Sequence, residues 1–523
     1  MKQLLKYYSF FLIIVLTPAL SYARDSLRLP AIFSDKMVLQ QQSTIPIWGW
    51  AQPGEKVRIK SGWQFFSKSI CADENGRWQT QLKTPKAGGS YQISIKTNTR
   101  SVILDSVLIG EVWLCAGQSN MEMSLKKTEN VEEEIVCAHL PQIRLFKVAH
   151  KIAHEIQSDC RGEWQCCTPE TAADFSAISY YFGKEIHQNL NVPVGLIQVA
   201  WGGVPVEVFM REDFLRQNPD YNNLFAKWET WRSWSKENPL EYDSLLTIWQ
   251  AWEKQAKFAQ ANSLSEPAKP ELPEPMYNLV RPHRETSVLY NGMLAPVVPF
   301  GINGIIWCQG TSNRDRAYQY RTLFPDLIRH WRQEWQQGEF PFYYVQNAPY
   351  EFKDLESAAE LREAQMLAMR TVHNTGMVVT TDAGDFLDIH PHNKKTPGIR
   401  LANWALANTY NVKNIPFSGP LYRSCRIAGK KVIVTFDYSG SGLIIKGEAA
   451  GQFVIAGQDS VFHPAEVSVI GSYLEIYSND VPQPVAARYN WFGEPKACLF
   501  NKEDLPASPF RTDDWPGVTH RKL

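Results

Sequence analysis

The sequence has no excess of charge of either sign, because 54 lysines and arginines balance 54 aspartates and glutamates. No global electrostatic field would draw such a protein to nucleic acid or to an anionic membrane. After Ala23 the sequence also lacks any apolar run of the roughly 20 residues that a membrane-spanning helix needs. We therefore expect no nucleic-acid partner, no membrane partner for the mature chain, and a ligand that is neutral or modestly charged.

Metal-binding patterns are scarce as well. The nine cysteines include no CxxC pair that is followed by a second pair or by spaced histidines, so we predict no metal site. An odd number of cysteines leaves at least one thiol unpaired even in an oxidising compartment. Cys115 and Cys308 lie in apolar, strand-like runs and are predicted to be buried free thiols. Cys160, Cys166 and Cys167 are close enough in sequence for local pairing, but their spacing specifies no connectivity.

The beginning of the chain is typical of a signal peptide. A positively charged start is followed by an apolar run from about Phe10 to Leu20 and by small residues up to Ala23. This order predicts a signal peptide over residues 1–23, and hence export to the periplasm or secretion. The alternative, an uncleaved anchor, is disfavoured because the apolar run is too short to span a bilayer.

At 523 residues and 59.7 kDa the chain is too long for one ordinary hydrophobic core, so two or three domains are expected. Residues 24–106 show short alternating runs between turn residues, which predicts a small β-sandwich. Residues 107–412 alternate continuous apolar runs with amphipathic helical stretches. That pattern predicts a doubly wound α/β domain with a parallel sheet and a ligand site at the carboxyl ends of its strands. Residues 413–523 return to strand-like alternation and predict a second β domain.

A Trp-rich, charged stretch interrupts the α/β rhythm at about residues 212–282. Its periodicity predicts helices, followed by a proline-rich segment, and we interpret the stretch as an insertion. The helical spacing of its tryptophans favours packing residues over a sugar-stacking platform.

The apolar run EVWLCAG ends at Gly117, and Ser119 follows after Gln118, on the turn where an α/β fold exposes a nucleophile. A serine hydroxyl needs a base within hydrogen-bond reach and donors for the oxyanion that forms. The alternative is that Ser119 only caps the following helix, a role that serines favour.

Two further junctions between a strand and a loop could supply such donors. The run VPVGLIQVA leads to Gly202 and Gly203, where the backbone can approach a substrate closely. The run INGIIWC leads to Gln309 and Asn313, which carry amide side chains. Backbone N–H groups and an Asn side chain are usual components of an oxyanion hole.

His390 is the candidate base because it lies within a cluster of three aspartates, Asp382, Asp385 and Asp388. An imidazole oriented by a carboxylate is what the serine requires. His392 is a competing base two residues further on. The alternatives are a surface histidine in a polar loop or a cation site built from the aspartates.

Five segments together form a more specific signature than any one of them, namely GQSNMEM, WGG, NGMLAP, QGTSN and DIHPHNK. In this order they resemble the SGNH (GDSL-like) hydrolases, and specifically the sialate O-acetylesterase family. The resemblance covers nearly the whole mature chain, including the opening β domain. It implies an SGNH-like parallel sheet flanked by small β domains and a serine esterase that needs no cofactor.

Carried over by position, the resemblance implies that Ser119 is the nucleophile and His390 the general base. It places Gly202 or Gly203 and Asn313, with the Ser119 backbone N–H, in the oxyanion hole. These roles agree with those inferred from the residues alone.

The sequence departs from the family pattern at two places near these residues. The family usually reads W-Y-Q-G-E-S-N, whereas this chain has Cys308 and Thr311 in place of the tyrosine and the glutamate. SGNH enzymes commonly have an aspartate three residues before the histidine, and here that position is Leu387. Asp388 is the first choice for the acid and Asp385 the second, and a dyad oriented by a backbone carbonyl is a third possibility.

The expected reaction is hydrolysis of an acetyl ester of a sugar, with O-acetylated sialic acids as the leading substrate implied by the resemblance. Gln118 and Gln309 are expected to contact the substrate. A sialate carboxylate would need a cation, for which Lys394, Arg211 and Arg314 are candidates. The alternatives are esterase activity on another acetylated glycan such as xylan, or a non-catalytic carbohydrate-binding protein. The sequence says nothing about oligomeric state.

Overall fold

The structure is a computed structural model that describes residues 27–262, 264–265, 267–352, 355–493, 495–520 and 522. The signal peptide predicted over residues 1–23 lies outside the described residues. No helix of the described part of the chain is long and apolar enough to cross a membrane.

The chain opens with an all-β region of two sheets. Strands β2 and β5 form an antiparallel pair, and β6 joins β3, β4 and the long strand β7 in the second sheet, where β1 runs parallel to β7. In β3 buried and exposed residues alternate strictly, as a strand with one face on a core requires. The strands are β1 (Val38–Gln40), β2 (Thr44–Trp50), β3 (Lys56–Ser61), β4 (Lys68–Cys71), β5 (Arg77–Lys83), β6 (Gly88–Lys96) and β7 (Ser101–Gly117).

Strand β7 belongs to two sheets in turn. Its first part pairs with β6 in the N-terminal region, and its last seven residues are all buried at the centre of the next sheet. The boundary predicted between residues 106 and 107 therefore falls inside a continuous strand.

The central sheet has the order β13-β12-β11-β7-β10-β8-β9, and every neighbouring pair is parallel except β8 and β9. Its strands after β7 are β8 (Leu140–Lys147), β9 (Trp164–Cys167), β10 (Val194–Ala200), β11 (Gly304–Cys308), β12 (Phe342–Val345) and β13 (Thr375–Val378). The inner strands β10, β11 and β12 are buried at every residue, as expected when helices cover both faces. The predicted fold class, a parallel α/β sheet with small flanking β regions, is confirmed.

Helices α4 and α11 pack on one face of this sheet, and α9 and α10 pack on the other. Helices α5 to α8 come from the stretch predicted as an insertion. The helices are α1 (Ser119–Glu122), α2 (Glu132–Val136), α3 (Pro169–Ala173), α4 (Ala177–Leu190), α5 (Glu212–Leu215), α6 (Asn222–Glu237), α7 (Pro239–Ala261), α8 (Glu274–Leu279), α9 (Ala317–Trp335), α10 (Leu355–Thr371) and α11 (Lys395–Asn408).

The C-terminal region is again built of strands and has its own apolar core. Strands β14, β15, β20 and β19 form one antiparallel sheet, β18, β17, β21 and β23 form another, and β16 pairs with β22. The strands are β14 (Leu421–Ala428), β15 (Lys431–Asp437), β16 (Leu443–Ile445), β17 (Phe453–Ala456), β18 (Phe462–Pro464), β19 (Glu466–Ile470), β20 (Tyr473–Tyr477), β21 (Ala486–Tyr489), β22 (Leu499–Asn501) and β23 (Phe510–Arg511).

Buried polar contacts fix this region to helix α10. The fully buried Arg362 donates hydrogen bonds to the carbonyl oxygens of Phe492 and Gly493. Arg511 forms a buried ion pair with Glu363, with 2.8 Å between Nε and Oε1. The C-terminal region is therefore joined to the α/β sheet through groups that require their partners, because buried charges without partners are costly.

Candidate active site

Ser119 lies at the carboxyl end of β7, the central strand of the parallel sheet. Gly117 ends the strand with φ at +147°, and a Cβ there would lie 2.2 Å from the carbonyl oxygen of Cys308. Only glycine fits this close approach to β11. The chain then turns at Gln118, and Ser119 begins the short helix α1.

His390 approaches Ser119 from the loop after β13. Its Nε2 lies 2.8 Å from the Ser119 Oγ, although the two residues are 271 positions apart in the chain. Burial lowers the pKa of the His390 imidazole below its ordinary value, the Asp388 carboxylate opposes this change, and the Lys394 ammonium reinforces it. The imidazole is thus neutral at neutral pH and able to accept the serine proton.

The aspartates of this loop have three different environments. The Oδ1 of Asp388 lies 3.8 Å from His390 Nδ1, too far for a direct hydrogen bond, and accepts a hydrogen bond from the His390 backbone N–H at 2.8 Å. Asp385 accepts from the backbone N–H groups of Leu387 and Asp388. Asp382 is held by Arg400. Of the three, Asp388 is the one within electrostatic reach of the imidazole.

His392, the competing base, points elsewhere. Its Nδ1 lies 2.7 Å from the carbonyl oxygen of Lys127, and its Nε2 lies 3.3 Å from Asp388 Oδ2. The structure therefore brings His390 to the serine and keeps His392 on the far side of Asp388.

Asn120 and Lys394 connect the nucleophile turn to the His390 loop. The Lys394 Nζ donates to Asn120 Oδ1 at 2.8 Å and to the carbonyl of Pro391, and Asn120 Nδ2 donates to the carbonyl of Ile389 at 3.1 Å. Lys394 is only 3% exposed, and burial lowers its pKa to about 8. Sequence reasoning missed this link, although both residues stand inside the motifs that carry the resemblance.

Asn313 is buried in the loop after β11, the strand next to β7. Its Oδ1 accepts hydrogen bonds from the Val206 backbone N–H at 2.9 Å and from Gln309 Nε2 at 2.7 Å. These two bonds fix the amide orientation, so that Nδ2 is the donor end, and one of its hydrogens is directed at Glu207 Oε2 at 2.9 Å. The second hydrogen of this Nδ2 is the one that an oxyanion could use.

Gly202 lies beside Ser119, since a Cβ on Gly202 would be 3.3 Å from the Ser119 Cβ. Its backbone N–H, which the sequence predicted to face an oxyanion, donates here to Glu122 Oε2 at 2.7 Å. The other Glu122 oxygen lies 2.9 Å from His150 Nε2, and the His150 ring stacks on Trp201 with centroids 4.0 Å apart. The Gly202 N–H becomes available to a substrate only when Glu122 moves away. Glu122 belongs to GQSNMEM and could have been singled out from the sequence.

Gln118 and Gln309, the residues expected to contact substrate, are both buried and bonded within the protein. Gln118 Oε1 accepts from the Gly310 backbone N–H at 3.3 Å. Gln309 donates to Asn313 and accepts from the Tyr320 hydroxyl at 2.9 Å. Because both ends of the Gln309 amide are occupied, its geometry is that of a group that orients Asn313.

A cavity of about 40 Å³ lies behind the nucleophile turn, at the two positions where the sequence departs from the family pattern. Cys308, Thr311 and Lys394 line it. The Thr311 hydroxyl donates to Asn347 Oδ1 at 2.6 Å.

The three cations considered for a substrate carboxylate are all engaged within the protein. Lys394 is buried as described. Arg211 forms ion pairs with Asp213 and Glu334, and Arg314 pairs with its neighbour Asp315. Arg211 and Arg314 therefore already have carboxylate partners, whereas Lys394 is bound by the Asn120 amide oxygen and the Pro391 carbonyl.

No group of three or more potential metal ligands occurs among the residues that the structure describes. The nine cysteines are free thiols, Cys115 and Cys308 among the buried ones. Burial raises the pKa of Cys115 to about 12 and that of Cys308 to about 11, so neither competes with Ser119 as a nucleophile.

The chain is similar in sequence and in fold to known carbohydrate esterases. The family model described as "Carbohydrate esterase, sialic acid-specific acetylesterase" matches residues 279–410. The sialate O-acetylesterases of Mus musculus and Homo sapiens are each 26% identical to this chain, over 95% and 94% of both chains respectively. A crystal structure of a carbohydrate acetylesterase from Xanthomonas citri matches with a TM-score of 0.77 and 31% identity, covering 94% of this chain and 100% of that one.

Proposed function

Because the chain belongs to the sialate O-acetylesterase family of carbohydrate esterases, we propose that it is a serine esterase that hydrolyses O-acetyl esters of sugars. O-acetylated sialic acids are the leading substrate, because the relatives are named sialate O-acetylesterases. The signal-peptide pattern in residues 1–23 supports an exported enzyme. The observation that carries the proposal is the 2.8 Å contact between Ser119 Oγ and His390 Nε2 at the carboxyl end of the parallel sheet.

In the first half of the reaction, the neutral His390 takes the proton of Ser119 as its Oγ attacks the acetyl carbonyl. The Ser119 backbone N–H and the second Asn313 Nδ2 hydrogen are the donors proposed for the oxyanion. The imidazolium then gives its proton to the departing sugar hydroxyl, which leaves an acetyl group on Ser119.

In the second half, water attacks the acetyl-enzyme with His390 again as the base, and acetate leaves. Asp388 is proposed to stabilise the imidazolium electrostatically from 3.8 Å. The Gly202 N–H can join the oxyanion donors once Glu122 swings out, which an entering ester carbonyl would favour by taking over the hydrogen bond.

The test is release of acetate from O-acetylated sialic acid by the wild-type protein, Ser119→Ala and His390→Ala. Each variant is expected to lose about 10³-fold or more in kcat, because nucleophile and base act as a unit. Matched controls are Ser472→Ala and His373→Ala, which change exposed residues and should retain full activity.

Full activity in Ser119→Ala would refute the serine mechanism. Activity on acetylated xylan but not on the sialic acid ester, still dependent on Ser119, would keep the mechanism and change the substrate.

A further inference from the structure

A second cavity, of about 270 Å³, lies next to the candidate active site. The insertion contributes Trp228 from α6 and Tyr277 from α8, and the loops after β10 and β11 contribute Pro205 and Ser312. Ser312 directly precedes Asn313, the residue proposed to bind the oxyanion. This space, which we call the insertion cavity, is therefore continuous with the loops that carry the chemistry.

Aromatic rings form one wall of the insertion cavity. Trp228, Trp231 and Tyr277 line it, and the two tryptophans contact each other edge to face with centroids 5.0 Å apart. Flat apolar faces combined with polar groups are suited to a sugar ring, whose C–H face is apolar and whose edge carries hydroxyl groups.

Most charges around the insertion cavity are paired. Glu207 forms an ion pair with Arg316, and Asp315 pairs with Arg314 at 2.8 Å. Lys227 and the exposed Glu274 attract each other across the rim.

Arg284 is the exception. Its Nη1 donates to the carbonyl oxygen of Gly203, and its Nε is buried without a hydrogen-bond partner. No carboxylate of the described residues lies within ion-pair distance of this guanidinium. A partly buried cation without a counter-ion is costly unless something else compensates its charge.

Two more cations crowd the same place. Around the Tyr277 ring lie Arg281 at 3.9 Å, Lys269 at 5.0 Å and Arg284 at 6.0 Å from its centroid. Within the described part of the chain neither Arg281 nor Lys269 has an ion-pair partner either. Burial and the neighbouring Arg281 lower the pKa of Lys269, as expected where like charges accumulate.

This excess of positive charge is close to the nucleophile. Arg284 contacts Gly203, and the adjacent Gly202 lies against Ser119. With about 3.8 Å between consecutive Cα atoms, the guanidinium is on the order of 10 Å from the serine.

We propose that Arg284 is the anion subsite of this enzyme and binds the carboxylate of an acidic acetylated sugar, while Trp228, Trp231 and Tyr277 enclose the sugar ring. The proposal rests on the esterase function proposed above and adds the residue that selects an acidic sugar over a neutral one. A guanidinium recognises a carboxylate by paired hydrogen bonds, and Arg281 and Lys269 strengthen the local field. The carboxylate could belong to a sialic acid or to a uronic acid.

The test compares each acid with its own carboxyl methyl ester, which has the same shape and no charge. The substrates are O-acetylated sialic acid and an O-acetylated uronic acid glycoside, each with its methyl ester. For the correct sugar, the wild-type protein is expected to have a kcat/KM about tenfold or more higher on the free acid, mainly through KM. The sugar that shows this preference identifies the source of the carboxylate.

In Arg284→Gln the ratio of kcat/KM on the free acid to kcat/KM on the methyl ester should fall to about one. Lys269→Gln should lower the ratio partially, and this variant does not alter the contact with Gly203, so it remains informative if Arg284→Gln folds poorly. Lys254→Gln, an exposed change on α7, should keep the wild-type ratio.

Equal rates on acid and ester in the wild-type protein, or a ratio unchanged in both Arg284→Gln and Lys269→Gln, would overturn the anion subsite. Hydrolysis of a neutral aryl acetate that depends on Ser119 reports separately on the proposed esterase, so the two proposals can fail independently.

Discussion

Lys394 holds a buried positive charge near the proposed general base, with only 3% of the residue exposed. Its ammonium is bound by the Asn120 amide oxygen and the Pro391 carbonyl, and no carboxylate of the described residues pairs with it. The same contacts tie the His390 loop to the nucleophile turn. At the scale of single residues, the Lys394 side chain therefore acts on both the position and the pKa of the base.

The first prediction concerns the pH dependence of kcat/KM. His390 must be neutral to accept the proton, so activity falls as the pH drops through its pKa, and the midpoint should lie below 6.5 because burial lowers that pKa. Lys394→Met removes a charge that lowers the pKa and should move the midpoint up. Asp388→Asn removes a charge that raises the pKa and should move it down.

Rates on an aryl acetate across this range measure both midpoints, with the exposed Lys395→Met as the control. Movement of the two midpoints in the same direction would contradict these electrostatic roles.

A second prediction uses the cavity of about 40 Å³ that Thr311 and Lys394 share. Thr311→Glu should fill it and give the buried ammonium a carboxylate partner, which stabilises the fold and raises the pKa of Lys394. Thr311→Gln has nearly the same volume without the charge. Thermal unfolding at neutral pH should show a higher Tm for Thr311→Glu than for Thr311→Gln; an equal Tm would mean that the carboxylate does not reach Lys394.

Some of these features of single residues can be predicted from the sequence and others cannot. Ser119 and His390 could be paired in advance, because each stands in a short motif after an apolar strand and the strands of a parallel sheet end at one edge. The hydrogen bond from the Gly202 N–H to Glu122 could not be predicted, because it depends on the side-chain conformation of Glu122, 80 residues away in the chain. The missing counter-ion of Arg284 could not be predicted either, because it depends on which carboxylates the fold brings near; two of the cations considered from the sequence, Arg211 and Arg314, form ion pairs instead.

At the scale of elements, the junction of β7 with α1 determines where the nucleophile stands. The sequence predicted the strand and its turn from the apolar run EVWLCAG, which ends at Gly117 and is buried throughout in the structure. What periodicity cannot give is the closeness of β11, whose Cys308 carbonyl leaves no room for a side chain.

We predict that Gly117→Ala destabilises the fold by about 3 kcal/mol or more and abolishes activity, through a backbone clash and a displaced Ser119. Gly54→Ala is the matched control, because Gly54 also has a positive φ but has no atom within 4 Å of an added Cβ. Gly54→Ala should lower the free energy of unfolding by about 1 kcal/mol and leave the rate of ester hydrolysis unchanged. Urea unfolding with parallel activity assays makes the comparison, and similar losses for both variants would rule out the clash.

At the scale of the whole molecule, the three regions are held together by buried polar groups as well as by apolar packing. Composition and alternation predicted three regions, but they carried no information on how the regions meet. Arg362 of α10 makes one of these contacts, because it donates both to the Asn347 carbonyl after β12 and to the Phe492 and Gly493 carbonyls of the C-terminal region.

Arg362→Met should lower the free energy of unfolding by about 3 kcal/mol or more, because each buried carbonyl left without a donor costs about 1–3 kcal/mol. The exposed Arg426→Met should change it little. Denaturant unfolding measures both, and limited proteolysis should release the C-terminal region from Arg362→Met first. An unfolding midpoint equal to that of Arg426→Met would show that the contact is not required.

The single strand β7 also limits how such an enzyme can be reshaped, by nature or in the laboratory. A recombination that exchanged the N-terminal region for another module at residue 106 would cut through a hydrogen-bonded strand whose far end presents Ser119. Other modules can be joined to the enzyme at loops, but the N-terminal region shares strand β7 with the sheet that positions Ser119. We therefore expect the N-terminal β region and the α/β domain to be exchanged between proteins only together, as one unit.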